Sequence, residues 1–326
     1  MSRPLRIQYP GAVYHITCRG NERKDIFRDD DDRGRFLEVL ADSQAIYSVN
    51  LYAAVLMGNH FHLLLETPLG NVNEFMRRFS ITYTGYFNRR HDRVGHLFQG
   101  RYKSILVEKE GYLSVLSRYI HLNPIRTGEM EGVDLKTKAD FLRGYRWSTL
   151  PGYLKSEEHW PGVDYGLILG EFGGDNPRGR RAYGKRIRED LARGVEVKGK
   201  VIGGSVLGRE GYIQWLREKF IDDLPVRDYT GIKTLKRLKT KEQILYLLAA
   251  EAGLDLHQIK NTRGDIRRTA MEMLYRAGGL TGVEIGDLFG VGPSLVSRER
   301  KRLKSQMAEE EAFKKEFERI YSKCLV

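Results

Sequence analysis

Apolar residues recur at two different periods along the first half of the chain. Ala12 to Cys18 is a β-rich run, and Asp31 to Tyr47 carries Phe36, Leu37, Leu40 and Tyr47 at helical spacing. Two short apolar runs follow, Leu51 to Met57 and Phe61 to Glu66, separated by Gly58-Asn59, a hairpin turn signal. Asn71 to Arg90 reads as a long helix with Phe75, Phe79, Tyr83 and Tyr86 about a turn apart. Arg101 to Val107 reads as a further strand and Glu110 to Leu122 as a further helix. The order β-α-β-β-α-β plus one helix predicts an α+β, ferredoxin-like (βαββαβ) domain, an antiparallel sheet with helices on one face.

Beyond it the pattern changes. Gly173 to Gly204 is rich in Gly and Arg, including Arg178-Gly179-Arg180-Arg181 and Lys198-Gly199-Lys200, and reads as a linker with a helix around Arg181 to Arg193. From Lys241 the periodicity is helical throughout: Lys241 to Ala252, Arg263 to Gly278, Thr281 to Phe289, and a fourth helix opened by Pro293 after Gly290-Val291-Gly292. A short helix, a glycine-bearing turn and a helix rich in Ser and Arg fit a helix-turn-helix, with a plain helical bundle as the alternative. In the first reading Ser294, Ser297, Arg298, Arg300 and Lys301 face a major groove. The chain thus divides into 1–155, a basic linker region 156–235, and an all-α region 236–326.

The 326 residues suffice for about two domains, and 41% hydrophobic with 30% charged positions places them among globular proteins. The formal charge of +12 and pI near 9.5 point to nucleic acid as a partner. No run approaches the roughly 18 apolar residues of a membrane span and no signal core follows Met1, so a cytoplasmic, nucleoid-associated protein without a membrane partner is expected. Cys18 and Cys324 alone build neither a disulfide framework nor a four-cysteine zinc site, so any metal must use His, carboxylate or amide ligands.

Asn59-His60-Phe61-His62 is the sharpest local feature. On a strand His60 and His62 point to one face and Phe61 to the other. By itself the pair fits a structural histidine pair as well as two ligands of one divalent cation. In Ser117 to Pro124, Tyr119 and Asn123 are four apart, which on a helix puts phenol and amide on one face, although Pro124 disfavours helical geometry at Asn123. By itself a tyrosine beside Leu116 and Ile120 reads as core more readily than as catalyst.

Taken together, GNHFHLLL (Gly58 to Leu65), GHLFQGRYKS (Gly95 to Ser104), RYIHLNPIR (Arg118 to Arg126) and YRWSTL (Tyr145 to Leu150) resemble the HUH single-tyrosine transposases, and among them the REP-associated tyrosine transposases. The resemblance covers roughly residues 5 to 155. It implies a DNA endonuclease and strand transferase acting on single-stranded and hairpin DNA. His60, His62 and Asn123 would hold Mg²⁺ or Mn²⁺, with Asn123 standing where other members carry Gln. Tyr119 would attack the scissile phosphate to give a 5′-phosphotyrosine and a free 3′-hydroxyl; Tyr112, seven residues earlier on the same face, is its competitor. Arg77, Arg78, Arg89, Arg90, Arg101 and Lys103 would track the DNA backbone, and His121 is expected to be structural. The segment Lys241 to Lys304 is similar to the DNA-binding domain of the replication initiator DnaA, through its helix pattern and Arg263 to Arg268, and implies duplex binding. The expected assembly is a monomer or homodimer. The competing reading is a catalytically silent, sequence-specific DNA-binding regulator.

Overall fold

The computed structural model describes residues 3–4, 6–195, 197, 201–202, 204–221, 229–230, 240–278 and 280–324. Lys198-Gly199-Lys200 and the start of the third segment, 236–239, lie outside them. Two compact units are distinguished, one formed mainly by 5–215 and one by 216–326.

The first unit begins with β1 (Ala12–Arg19), α1 (Asp30–Tyr47), β2 (Asn50–Leu56), β3 (His60–Thr67), α2 (Val72–Arg90), β4 (Lys103–Val107) and α3 (Lys109–His121). The strands lie in the order β2-β3-β1-β4, every neighbour antiparallel, which is the ferredoxin-like arrangement. Alternation along the strands decides the two faces. Phe61 packs with Phe36 of α1 and Phe79 of α2 at ring separations of 4.9 and 5.9 Å, so α1 and α2 cover one face. Val13, Val55 and Leu64 pack with Leu116, Tyr119 and Ile120 of α3. The sheet therefore carries helices on both faces, where the sequence order alone suggests one. The second apolar face, supplied by alternate strand residues such as Val13 and Leu64, needs a cover of its own.

The unit does not end at 155. After α4 (Leu135–Gly144), α5 (Leu150–Leu154) and α6 (Gly166–Gly170) comes α7 (Pro177–Arg193), the helix expected around Arg181 to Arg193 within the region read as linker. Tyr183 and Ile187 of α7 join the α3 core, so this segment is packed structure. Two short strands, β5 (Val201–Ile202) and β6 (Val206–Leu207), extend the sheet from β4, with β6 parallel to it. The Trp147 to Thr149 stretch lies along the β2 edge, Leu56 N–H donating to Trp147 O at 2.8 Å and Thr149 N–H to Ala54 O at 3.0 Å.

The second unit contains α8 (Lys241–Ala252), α9 (Leu256–Asn261), α10 (Asp265–Arg276), α11 (Gly282–Phe289), α12 (Pro293–Glu309) and α13 (Glu311–Ser322). Capping boxes Thr240/Gln243, Asp255/Gln258 and Thr281/Glu284 start α8, α9 and α11. Ile244, Leu248, Met271, Leu274, Ile285, Val296 and Leu303 form its core. The α11–α12 turn depends on two glycines. Gly290 adopts the left-handed conformation at φ 63°, and a Cβ on Gly286 would stand 2.4 Å from Val291 O. Among the described residues no helix is long and apolar enough to cross a membrane.

Candidate active site

On the sheet face covered by α3, β1 places His15 and Thr17 beside His62 of β3, because Thr17 and His62 are directly paired across the strands. His15 Nε2 lies 2.8 Å from His62 Nδ1, and Thr17 Oγ1 lies 3.2 Å from the same nitrogen. His60 Nδ1 is 2.7 Å from Asn59 Oδ1. The His60 and His62 rings are 5.2 Å apart. In each ring Nδ1 is therefore engaged and Nε2 is the nitrogen left over, the arrangement in which a neighbouring acceptor fixes tautomer and orientation for a metal-binding imidazole. Burial pushes His15 and His60 down to about 4, the Arg19 charge adding to the effect at His60. His62 is lowered as well, first by burial and then by the charges of His15, His60, Arg19 and Arg126. Neutral imidazole is the ligating form.

Tyr119 comes from the opposite side. It is buried at 7% exposure, its ring edge-on to His15 at 6.2 Å between centroids, so α3 brings the phenol to the same histidine cluster. The helix that carries it is fastened along its length. Lys109 Nζ pairs with Glu66 at 2.9 Å, and Ser117 Oγ lies 2.9 Å from Tyr183 Oη of α7. Arg118 Nε donates to Asp190 at 2.5 Å. His121 lies 2.8 Å from both Tyr183 Oη and Thr149 Oγ1, fully buried and pushed down to about 3 by desolvation, in keeping with a structural role. Tyr112 packs against the core at the start of the helix, where Glu110 and Gly111 are not helical.

Asn123 is not on the helix. α3 ends at His121, and Asn123 begins a 3-10 turn with Pro124. Its side chain folds back, Nδ2 donating to Tyr119 O at 3.0 Å and Ile120 O at 3.2 Å. The amide thus caps the Tyr119 helix and leaves Oδ1 outside these two bonds. Among the described residues no three His, Cys, Asp or Glu side chains converge into a metal cage. Two imidazoles and one amide oxygen fit a divalent ion that completes its shell with water and phosphate oxygens.

The basic residues separate. Lys103 pairs directly with Thr17 across β1 and β4 and so stands on the histidine face, exposed. Arg101 is exposed just before β4. Arg77, Arg78 and Arg89 are exposed on α2, in the layer on the far side of the sheet. Arg90 does not fit a role as a free backbone contact: its guanidinium holds Asp29 at 2.6 Å, Asp31 at 2.9 Å and Asp32 at 2.7 Å. In the second unit Ser294, Ser297, Arg298 and Lys301 are exposed on α12. Arg300 departs from the groove-facing expectation, since it donates to buried Glu272 at 2.6 Å and its guanidinium lies 3.2 Å over the Tyr275 ring. Its charge is used inside the unit because Glu272 would otherwise be buried without sufficient partners.

Sequence reasoning missed His15, Arg19 and Arg126. Strand alternation from His62 across β1 could have found the first two, while Arg126 depends on the turn after α3.

Residues 8–123 match the family model described as Transposase IS200 like. No curated protein matches the chain. Among solved structures, the chain is similar to a REP-associated tyrosine transposase solved bound to a REP hairpin, at 16% identity, covering 54% of this chain and 98% of that one with a TM-score of 0.39. It is also similar to a transposase candidate from Deinococcus radiodurans R1, at 20% identity, covering 37% and 95% with a TM-score of 0.27. The fold assignment rests on the sheet order above.

Proposed function

On the premise that residues 8–123 are a transposase domain of the IS200-like family, we propose that the chain is a single-tyrosine DNA endonuclease and strand transferase acting on single-stranded, hairpin DNA. The observation that carries the reading is the meeting of Tyr119 with the His15–His62 pair, from segments more than fifty residues apart, on one face of the sheet. In the step proposed, Tyr119 Oη bonds to the scissile phosphorus and the P–O3′ bond breaks. The phenol proton ends on the 3′ oxygen, leaving a 5′-phosphotyrosine. Reversal with another 3′-hydroxyl rejoins DNA without an external energy source.

His60, His62 and Asn123 would hold Mg²⁺ or Mn²⁺. The ion, when bound, polarises a phosphate oxygen beside the nucleophile. His15 fixes the tautomer of His62, and Asn123 ties the metal site to the end of the Tyr119 helix through its cap. Burial lowers the pKa of the histidines and keeps them neutral. Ser294, Ser297, Arg298 and Lys301 of the second unit would contact duplex DNA, with α12 as the reading helix.

The test is incubation with Mg²⁺ or Mn²⁺ and labelled hairpins from repeats flanking the gene, followed by a denaturing gel. A protein–DNA adduct formed by the wild type and lost in Tyr119→Phe, with binding retained, is the expected result. A complex that shifts but never becomes covalent favours the silent regulator.

A further inference from the structure

Two guanidinium groups converge on this site from opposite ends. Arg19 is paired with His60 across β1 and β3, and paired side chains share a face, so it stands at the histidine end. Arg126 follows the 3-10 turn after α3, and its Cζ lies 4.3 Å from the centre of the Tyr119 ring. Both are exposed, and the charges of both act on His62. Among the described residues no carboxylate pairs with either, whereas Arg90, Arg118, Arg180, Arg209, Arg268 and Arg300 all hold one. Among the described residues the Arg126 guanidinium donates one long bond, Nη2 to Val195 O at 3.3 Å. A guanidinium carries five N–H donors in a planar fork suited to phosphate oxygens. Two such forks without acid partners, one stacked on the Tyr119 ring and one at the histidine end, suit an anion.

We infer that Arg126 is a catalytic residue, seating the non-bridging oxygens of one DNA phosphodiester over Tyr119, with Arg19 gripping the same phosphodiester from the histidine side. The inference rests on Tyr119 as the nucleophile. As the Tyr119 Oη–P bond forms and the P–O3′ bond breaks, negative charge grows on the non-bridging oxygens, and a fixed cation there favours the transition state. Stacking on the phenol face holds the Arg126 plane near that position and leaves its edge free for oxygen.

The test measures binding of the dinucleotide dTpdT, by NMR titration at low salt, to the full chain and to Arg126→Gln, Arg126→Lys and Arg35→Gln. Arg126→Gln is expected to weaken binding by about tenfold, the worth of one charge-assisted hydrogen bond. Arg126→Lys should fall between, since it keeps the charge and loses the fork, and Arg35→Gln, on α1 in the far layer and paired with Glu38, should match the wild type. With the neutral methylphosphonate analogue of dTpdT the gap between wild type and Arg126→Gln should close, which a purely packing role for Arg126 does not produce. Equal dTpdT affinity in wild type and Arg126→Gln, or a wild type that does not distinguish dTpdT from the methylphosphonate, overturns the inference. The adduct assay with Tyr119→Phe is separate: persistence of adducts there removes Tyr119 as nucleophile whatever the dinucleotide titration gives.

Discussion

Arg118 Nε donates to Asp190 Oδ2 at 2.5 Å across 72 residues of sequence, and both side chains are almost fully buried. The pair joins the helix carrying Tyr119 to α7. Removing one member of a buried ion pair strands the other charge, which costs about 3–5 kcal/mol. Asp190→Ala is therefore expected to lower the unfolding free energy of the first unit by that order in urea denaturation. A loss within experimental scatter would mean that the pair does not fasten the helix.

His15 Nε2 lies 2.8 Å from His62 Nδ1 and would orient that ring, and it touches no substrate in the proposed reaction. Replacing such a supporting group typically weakens metal binding by about 10- to 100-fold. His15→Ala should do so in a Mn²⁺ titration read by calorimetry, while Tyr119→Phe leaves the metal isotherm in place. An unchanged Mn²⁺ affinity in His15→Ala would show that His62 is held by other contacts.

How far the residues announced this arrangement can be judged element by element. The helices follow from 3.6-residue periodicity, as the single apolar face of α2 illustrates, and strands β1 to β3 from short apolar runs, which are buried on both faces. His60 and His62 were readable since strand geometry alone puts them side by side. Pro124 signalled that Asn123 would leave the helix, as it does, but not that its amide would turn back to cap α3. The helix of α7 was legible around Arg181 to Arg193, but its packing was not, because Arg and Gly dominate the region and only Tyr183, Ile187 and Asp190, on one helical face, meet α3. Long-range pairing of that kind, like Arg300 with Glu272, leaves no periodic trace in the chain.

Arg90 is bound to three aspartates at the start of α1, and the Asp29 carboxyl is held down to about 2, chiefly by its hydrogen bond to Arg90. A carboxylate with a depressed pKa stabilises the fold above its ordinary value near 4 and loses that contribution as pH falls toward 2. Arg90→Gln should accordingly lower the melting temperature at neutral pH and flatten its decline between pH 4 and 2, with single-stranded DNA affinity unchanged. A selective loss of DNA affinity instead would restore Arg90 as a backbone contact.

In the second unit, Arg298 and Lys301 are exposed neighbours of Arg300, whose guanidinium is spent on Glu272 and Tyr275. Arg298→Ala or Lys301→Ala should each weaken duplex binding and reduce the slope of log affinity against log salt by about 1, the signature of one lost phosphate contact. Arg300→Ala should mainly destabilise the helices, seen as an earlier thermal transition. Equal salt slopes for all the variants and the wild type would place the duplex-binding surface elsewhere.

The fastening of α3 has a genetic consequence. Glu66, Thr149, Tyr183 and Asp190 of the same chain hold the helix from its first turn to its last, so in the proposed reaction each polypeptide would supply its own nucleophile to its own histidines. Two dead alleles, one lacking the phenol and one lacking His62, should then fail to rescue each other when co-expressed, because neither chain can lend its missing part to the other.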